Sequence, residues 1–216
     1  ALTLLVAGRV DDPPTPAGTT VENTWSPYYL VSYKPDKACI DVNNLNHQAM
    51  YRIGGDATGY QLPFLLNRDA GGKPFEDVMI FGAGSGNDVS AALLDGAEHV
   101  DAVEIDPVIN GIGRRDHPNK PYDDPRVSIH LDDGRSFVRR TDRKFDLAVY
   151  ALVDSLVLHS GYSSLRLESF LFTEQAFRDV KAKLKPGGVF ALYNYYRQGW
   201  VVGRLVTLAE KVFGAK

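Results

Sequence analysis

The hydrophobic pattern divides the chain into a short β-rich region and a longer region of alternating strands and helices. From residue 77 onward, short apolar runs alternate with segments in which apolar residues recur at helical spacing. Because such runs suit strands that are buried on both faces, the alternation predicts a parallel sheet covered by helices, an α/β Rossmann-like fold. The predicted strands are residues 78–81, 100–105, 127–131, 145–150 and 189–193, and the clearest predicted helices are 88–94, 173–184 and 201–213.

The region before this alternation predicts a small N-terminal β-hairpin, with strands at 28–33 and 38–42. A Pro-rich stretch without periodicity, residues 11–20, predicts a linker. The apolar run at 1–8 is typical of a leading strand or of the end of a transmembrane helix, and both interpretations stay open. The predicted units are an apolar start with linker (1–24), a β region (25–76) and a Rossmann-like nucleoside-binding domain (77–216).

Composition narrows the functional classes. With 44% hydrophobic residues, 24% charged residues and a net charge of −3, the chain reads as an ordinary globular protein with no electrostatic footprint for nucleic acid. The single cysteine excludes an internal disulfide and suits a cytoplasmic location. The five histidines are scattered without metal-ligand spacing, so we predict no metal.

A glycine-rich turn follows the first strand of the Rossmann-like region. Gly82, Gly84 and Gly86 alternate with small residues, including Ser85, immediately before a predicted helix. Such a turn lets the backbone approach a ligand closely, and the helix behind it offers free N–H groups. The alternative is an ordinary strand-to-helix turn.

Two acidic positions strengthen the prediction of a nucleoside site. Glu104 ends the second strand about 20 residues after the glycine turn, where an acid can accept hydrogen bonds from ribose hydroxyls. Asp133 follows the third strand, where a carboxylate can accept from the exocyclic amine of adenine. The alternatives are a solvated strand-end acid for Glu104 and a helix N-cap for Asp133, which could do both. Asp106, before Pro107, is predicted to cap the next helix.

These features, together with the Leu-Lys-Pro-Gly-Gly-Val turn at 184–189, resemble the S-adenosylmethionine-dependent methyltransferase superfamily. Asp133 and that turn argue against a dehydrogenase. The resemblance narrows to the spermidine synthases (polyamine aminopropyltransferases) and their bacterial membrane-fused relatives, over about residues 25–195. The segments that carry it are Trp-Ser-Pro-Tyr at 25–28, Gly-Tyr-Gln at 59–61, Glu-Ile-Asp at 104–106, Asp-Asp-Gly at 132–134, Phe-Asp-Leu-Ala-Val at 145–149 and Leu-Phe-Thr at 171–173.

The resemblance implies a donor substrate and several site residues. The donor is S-adenosylmethionine or decarboxylated S-adenosylmethionine, bound by the glycine turn, Glu104, Asp133 and Gln61. Asp154, at the position of a loop aspartate, and Tyr60, from across the cleft, are the implied catalytic residues. The resemblance also implies a gate over the substrate at residues 156–169, and a homodimer, because relatives of this kind dimerise.

Two departures from the family pattern affect the choice of donor. True spermidine synthases carry one aspartate inside the glycine turn and another at the end of the fourth strand, where this chain has Ser85 and Ala151. Without those anions, a primary ammonium lacks an obvious charged partner, and an unpaired buried charge costs several kcal/mol. Methyl transfer is therefore favoured by these two positions, whereas aminopropyl transfer is favoured by the rest of the family likeness.

The sequence thus predicts a group transferase that acts on a small amine-like acceptor. An S-adenosylmethionine-dependent methyltransferase with no polyamine role is one alternative. A non-catalytic nucleoside or polyamine sensor attached to a membrane domain, at the cytoplasmic face, is another.

Overall fold

The computed structural model describes residues 20–54, 58–151, 170–193 and 199–214. Nine strands and six α-helices are described there. In chain order they are β1 Glu22–Trp25, β2 Leu30–Lys34, β3 Cys39–Val42, β4 Leu45–Ala49, α1 Leu62–Asp69, β5 Asp77–Phe81, α2 Asn87–Leu94, β6 His99–Glu104, α3 Pro107–Asp116, β7 Val127–Leu131, α4 Gly134–Arg140, β8 Phe145–Ala151, α5 Glu174–Lys181, β9 Leu184–Tyr193 and α6 Gly199–Phe213.

The main sheet is five-stranded and parallel, in the order β7-β6-β5-β8-β9. This order confirms the predicted Rossmann-like α/β fold. Alternate residues of β5 explain why the sheet is covered on both sides, since Val78 and Ile80 enter one apolar cluster and Met79 and Phe81 enter the other. The first cluster includes side chains of α1 and α2, and the second those of α4, α5 and α6.

The N-terminal region is larger than the predicted hairpin. It forms a four-stranded antiparallel sheet in the order β1-β2-β3-β4. Asn43 and Asn44, both with positive φ (50° and 63°), form the tight turn between β3 and β4. The pattern missed β1 because all four of its residues are exposed and give no apolar alternation. The division at 24/25 and 76/77 stays a prediction.

The N-terminal sheet packs against α3. Its apolar side chains, including Val31 and Ile40, share a cluster with Ile109 and Ile112 of that helix. Ser26, in the segment between β1 and β2, donates from Oγ to Asp106 Oδ2 at 2.5 Å. Asp106 also accepts from the N–H groups of Val108 and Ile109 through Oδ1, which confirms its predicted role as a helix cap. Gln48 of β4 accepts hydrogen bonds from Ser85, so β4 lies over the carboxyl ends of the parallel strands.

The predicted helix 173–184 ends too late and the predicted strand 189–193 begins too late. Thr173 caps α5 as expected, but the helix ends at Lys181 and β9 already begins at Leu184. The Lys-Pro-Gly-Gly turn is an irregular start of this strand, where the pairing register with β8 shifts between Phe145 and Leu147. Among the described residues, no helix combines the length and apolarity needed to cross a membrane.

Candidate functional site

A cleft lies at the carboxyl ends of the parallel strands, beneath the N-terminal sheet. This is the edge at which open α/β sheets bind their ligands. The cleft is lined by residues from both regions of the chain: Tyr29, His47, Gln48, Tyr60, Phe81, Gly82, Ala83, Gly84, Asn87, Asp88, Val103, Glu104, Ile105, Asp106, Ile109, Asp132, Asp133, Gly134, Ala151 and Leu171. Five of these are Asp or Glu and none is Lys or Arg, so the described part of the lining favours cations.

The glycine turn forms the floor of the cleft. Gly82, Gly84 and Gly86 all have positive φ (69°, 55° and 112°), a conformation that glycine adopts without steric cost. Gly82 and Gly84 line the cleft, whereas Gly86 caps α2 from behind the floor. Tyr122 supports the turn from below, since its hydroxyl lies 2.7 Å from the carbonyl oxygen of Gly84 and donates to it.

Glu104 is held rigidly beside this turn. Its Oε2 accepts from the Gly84 N–H at 2.7 Å, and its Oε1 accepts from the Asp106 N–H at 2.8 Å. Burial raises the pKa of Glu104 above its usual value, although these two N–H groups oppose the shift. Each carboxylate oxygen still has a lone pair available. The side chain is therefore fixed with acceptor capacity directed along the cleft.

Asp133 serves as a helix cap and also lines the cleft. Its Oδ1 accepts from the Ser136 N–H at 2.8 Å at the start of α4. The alternative of a helix N-cap is thus confirmed, and it does not exclude ligand contact through Oδ2. Leu171 lies beside Gly134, so an apolar wall flanks this carboxylate.

Ser85 does not line the cleft itself. Its backbone N–H and its hydroxyl both donate to Gln48 Oε1, at 2.8 and 2.7 Å. Ser85 is fully buried, and Gln48 of β4 takes the place facing the cleft. The N-terminal sheet therefore supplies a polar side chain where the sequence analysis placed a serine hydroxyl.

The opposite part of the cleft contains a buried acid that sequence reasoning missed. Asp88, in the first turn of α2, is only 8% exposed and accepts a hydrogen bond from the Tyr193 hydroxyl at the end of β9. Burial raises the pKa of Asp88 to about 7, although the bond from Tyr193 opposes the shift. The cleft thus contains a buried acid in addition to the predicted Glu104 and Asp133.

Tyr60 lines the cleft as predicted and is held by a chain of hydrogen bonds. Asn87 donates from Nδ2 to the Tyr60 hydroxyl at 3.1 Å and to the Ala49 carbonyl oxygen at 2.8 Å. Its Oδ1 accepts from the Tyr51 N–H at 3.0 Å and from His117 at 3.1 Å. All four hydrogen-bonding positions of Asn87 are thus used, which fixes the orientation of Tyr60.

His117 is neutral within this chain. The Asn119 N–H donates to its Nδ1 at 3.1 Å, so the ring hydrogen is on Nε2 and is donated to Asn87. Burial lowers the pKa of His117 to about 4, and the nearby Lys120 adds to this shift.

The remaining predicted residues are placed differently. Gln61 does not line the cleft, because its Oε1 accepts from the Thr58 N–H at 3.1 Å and its Nε2 donates to Asp95 at 3.3 Å. Its side chain closes the turn before α1, so its geometry gives no support to ligand binding. Ala151 ends β8 at the cleft wall. Asp154 and the predicted gate at 156–169 lie outside the described residues.

One signal in the sequence could have identified Asp88. The helix Asn-Asp-Val-Ser-Ala-Ala-Leu-Leu contains no Lys, Arg or Glu, as expected of a helix whose first six residues are all buried. An aspartate is almost never fully buried unless it is paired, so its presence there calls for a partner or a function. Gln48 and Tyr193 carry no such signal, because only tertiary structure brings Gln48 to the cleft and the Tyr193 hydroxyl to Asp88.

No group of three or more His, Cys, Asp or Glu side chains is arranged to hold a metal ion within the described parts of the chain. The absence of a metal stays a prediction.

The fold and the cleft define a Rossmann-like α/β protein with an acidic cleft at the carboxyl ends of its parallel strands. The spermine/spermidine synthase domain family matches residues 71–205, more than half of the chain, and the chain belongs to this family. A polyamine aminopropyltransferase from Pectobacterium carotovorum is 33% identical over 121 residues, 54% of this chain and 39% of the relative. A polyamine aminopropyltransferase from Clostridium perfringens is 31% identical over 133 residues, which are 57% of this chain and 44% of the relative.

A spermidine synthase from Thermotoga maritima has the same fold. The two structures superpose with a TM-score of 0.64 at 20% identity, over 89% of this chain and 63% of the other. This chain spans less than half of the length of the two aminopropyltransferases that it matches.

Proposed function

We propose that this chain is a transferase that moves the aminopropyl group of decarboxylated S-adenosylmethionine to a small amine. The observation that carries the proposal is the charge of the cleft, whose described lining contains five carboxyl groups and no Lys or Arg. A sulfonium donor is cationic, and its decarboxylated form also carries an ammonium and lacks the carboxylate. An acidic cleft favours that form over S-adenosylmethionine. Family membership supports the same transfer.

The residues on the strand β6 side of the cleft suit the nucleoside part of such a donor. Glu104 would accept hydrogen bonds from the two ribose hydroxyls, and Asp133 Oδ2 would accept from the exocyclic amine of adenine. The glycine turn permits close approach of the ligand to the backbone. The sulfonium carbon would then lie toward β8, near Ala151.

The chemistry needs little more than alignment. The sulfonium already carries a good leaving group, so holding the amine nitrogen in line with the carbon–sulfur bond supplies most of the rate enhancement. Tyr60, which is held by Asn87, would orient the amine. Methyl transfer from S-adenosylmethionine is the competing function, favoured by the serine and alanine at the two family aspartate positions.

Calorimetry with the two donors separates these functions. We expect decarboxylated S-adenosylmethionine to bind at least about 10-fold more tightly, which corresponds to about 1.4 kcal/mol. Incubation with a panel of diamines should then release methylthioadenosine. Tighter binding of S-adenosylmethionine, with release of S-adenosylhomocysteine, would establish methyl transfer instead. Binding of neither donor would contradict the proposal.

A further inference from the structure

The sheet topology divides the cleft into two halves. Glu104 and Asp133 follow β6 and β7, on one side of the central strand β5, and together with the glycine turn they form the nucleoside half. On the other side of β5, Ala151 ends β8 and Tyr193 ends β9. Asp88 contacts Tyr193 and therefore lies on this second side, which we call the acceptor half.

Asp88 has the properties that amine binding requires. It is a cleft-lining carboxyl group that is almost fully buried, and it is held in one orientation by the Tyr193 hydroxyl. Burying a carboxylate without a cationic partner is costly, and no Lys or Arg lines the described cleft. A bound ammonium would supply the missing countercharge.

The two family positions that lack an acid make this placement informative. Ser85 is turned toward Gln48, and Ala151 offers only a methyl group to the cleft. Asp88 thus brings a carboxyl group to the half of the cleft in which these two residues supply none. Asp88 lies on α2, at neither of the two positions where the family carries an aspartate. The carboxyl group therefore comes from a different place in the chain but serves the same half of the cleft.

We propose that Asp88, oriented by Tyr193, binds the attacking amine and takes its proton. This inference rests on the proposed function. The ammonium of the acceptor first gives one proton to the Asp88 carboxylate, which leaves a neutral amine. The amine nitrogen then bonds to the carbon next to sulfur, the carbon–sulfur bond breaks, and its electron pair stays on sulfur as the neutral thioether. The product leaves as the secondary ammonium, and the proton held by Asp88 passes to water, which restores the carboxylate.

Four titratable groups surround Asp88, two from strands and two from the segments beside helices. They are Tyr193 on β9, Tyr60 before α1, Tyr122 after α3 and Glu104 on β6. The pKa of Tyr122 is raised well above its usual value by burial, so its titration lies far above neutrality. The pKa values of Asp88 (about 7) and Glu104 are both raised. If kcat/KM falls on the acid side of neutrality, substitution of each residue in turn is needed to assign that fall to Asp88 or to Glu104.

Asp88→Asn is the decisive variant. The amide keeps the shape and can still accept from Tyr193, but it can neither hold an ammonium by charge nor take a proton. We expect kcat/KM for the diamine to fall at least about 100-fold, the range of general base catalysis, and the acid limb near pH 7 to disappear. Donor affinity should stay within about threefold, and Tm should not fall. The matched control is Asp69→Asn on α1, an exposed acid paired with Arg68, which should behave like the wild type.

A binding measurement makes the test independent of turnover. We expect putrescine, titrated by calorimetry in the presence of methylthioadenosine, to bind Asp88→Asn at least about 10-fold more weakly than wild type at pH 8. Equal affinity for both proteins, or no diamine binding to wild type, would overturn the role of Asp88. If the wild type binds no decarboxylated S-adenosylmethionine, the proposed function is overturned. The diamine titration still decides the role of Asp88 in that case.

Discussion

The nucleoside half and the acceptor half of the cleft hold their acids by different means. In the nucleoside half, Glu104 and Asp133 accept backbone N–H groups from residues close in sequence or from the adjoining turn. In the acceptor half, Asp88 is held by the Tyr193 hydroxyl from the far edge of the sheet. Burial raises the pKa of both Glu104 and Asp88, so the two halves differ in where the hydrogen-bond donors come from and not in the direction of the shift. Glu104 is held on both carboxylate oxygens by backbone N–H groups, whereas Asp88 also depends on a side chain 105 residues away, so different substitutions should disrupt the two halves.

The largest expected effect concerns the nucleoside half. In Glu104→Gln, the amide nitrogen replaces an oxygen that accepts from Gly84 or Asp106, and it cannot accept from a ribose hydroxyl. We expect donor affinity to fall about 100-fold, or about 2.7 kcal/mol, because hydrogen bonds to a charged group are lost. Diamine binding should persist, which would confirm that the halves are independent. Calorimetry measures both.

The control for that variant is Glu98→Gln, an exposed glutamate just before the same strand. Its donor affinity should equal that of the wild type. Retention of donor affinity by Glu104→Gln within about threefold would contradict the ribose role.

The second prediction concerns the packing of α3 against the glycine turn. A Cβ at Gly113 of α3 would lie 2.4 Å from the carbonyl oxygen of Ser85, whereas one at Gly111 would meet nothing within 4 Å. We expect Gly113→Ala to lower the free energy of unfolding by about 1–3 kcal/mol, because the turn backbone must shift. Gly111→Ala, in the same helix, should raise it by about 0.5–1 kcal/mol through helix propensity. Urea denaturation of both variants measures these changes.

Both halves should lose affinity in Gly113→Ala, since Ser85 lies in the chain between Gly84, which donates to Glu104, and Asp88. A variant as stable as wild type would show that α3 does not support the turn. A loss in only one half would show that the turn does not couple them.

Local patterns predicted the nucleoside half well, because its elements follow one another along the chain. Each of its parts adjoins an apolar run that was correctly predicted as a strand. These parts are the glycine turn after β5, Glu104 at the end of β6 and Asp133 after β7. The five parallel strands were predicted to within about two residues, apart from the early start of β9, whose Lys-Pro-Gly-Gly segment reads as a helix end. Their use by a nucleoside stays a prediction.

The acceptor half could not be predicted in the same way, because its contacts are long-range. Asp88 and Tyr193 are 105 residues apart, and Gln48 reaches Ser85 from a different sheet. The prediction for Gln61 came from the resemblance of the Gly-Tyr-Gln segment to the family. Adjacent residues in a helical turn point in different directions, however, and Gln61 faces Asp95 whereas Tyr60 lines the cleft.

The smallest expected effect concerns the support of Tyr60. The pKa of His117 is lowered to about 4 by burial, from an ordinary value near 6.5. As pH falls below 6.5, the unfolded chain binds a proton at this residue and the folded chain does not. The residue therefore costs stability progressively until about pH 4, by at most about 1.4 kcal/mol per pH unit. His117→Gln can donate to Asn87 and accept from Asn119 without titrating, so this part of the acid sensitivity should disappear.

Urea denaturation at pH 7, 6 and 5 measures the free energy of unfolding of His117→Gln and of the wild type. The value for the variant minus the value for the wild type should become more positive as the pH falls. His99→Gln, which replaces an exposed histidine on β6, is the control that tests whether any histidine would give the effect. A gap of constant size across this range would show that His117 is protonated equally in the folded and unfolded states. If diamine binding also weakens in His117→Gln while donor binding does not, the hydrogen-bond chain through Asn87 acts on the acceptor half alone, as its position beside Tyr60 requires.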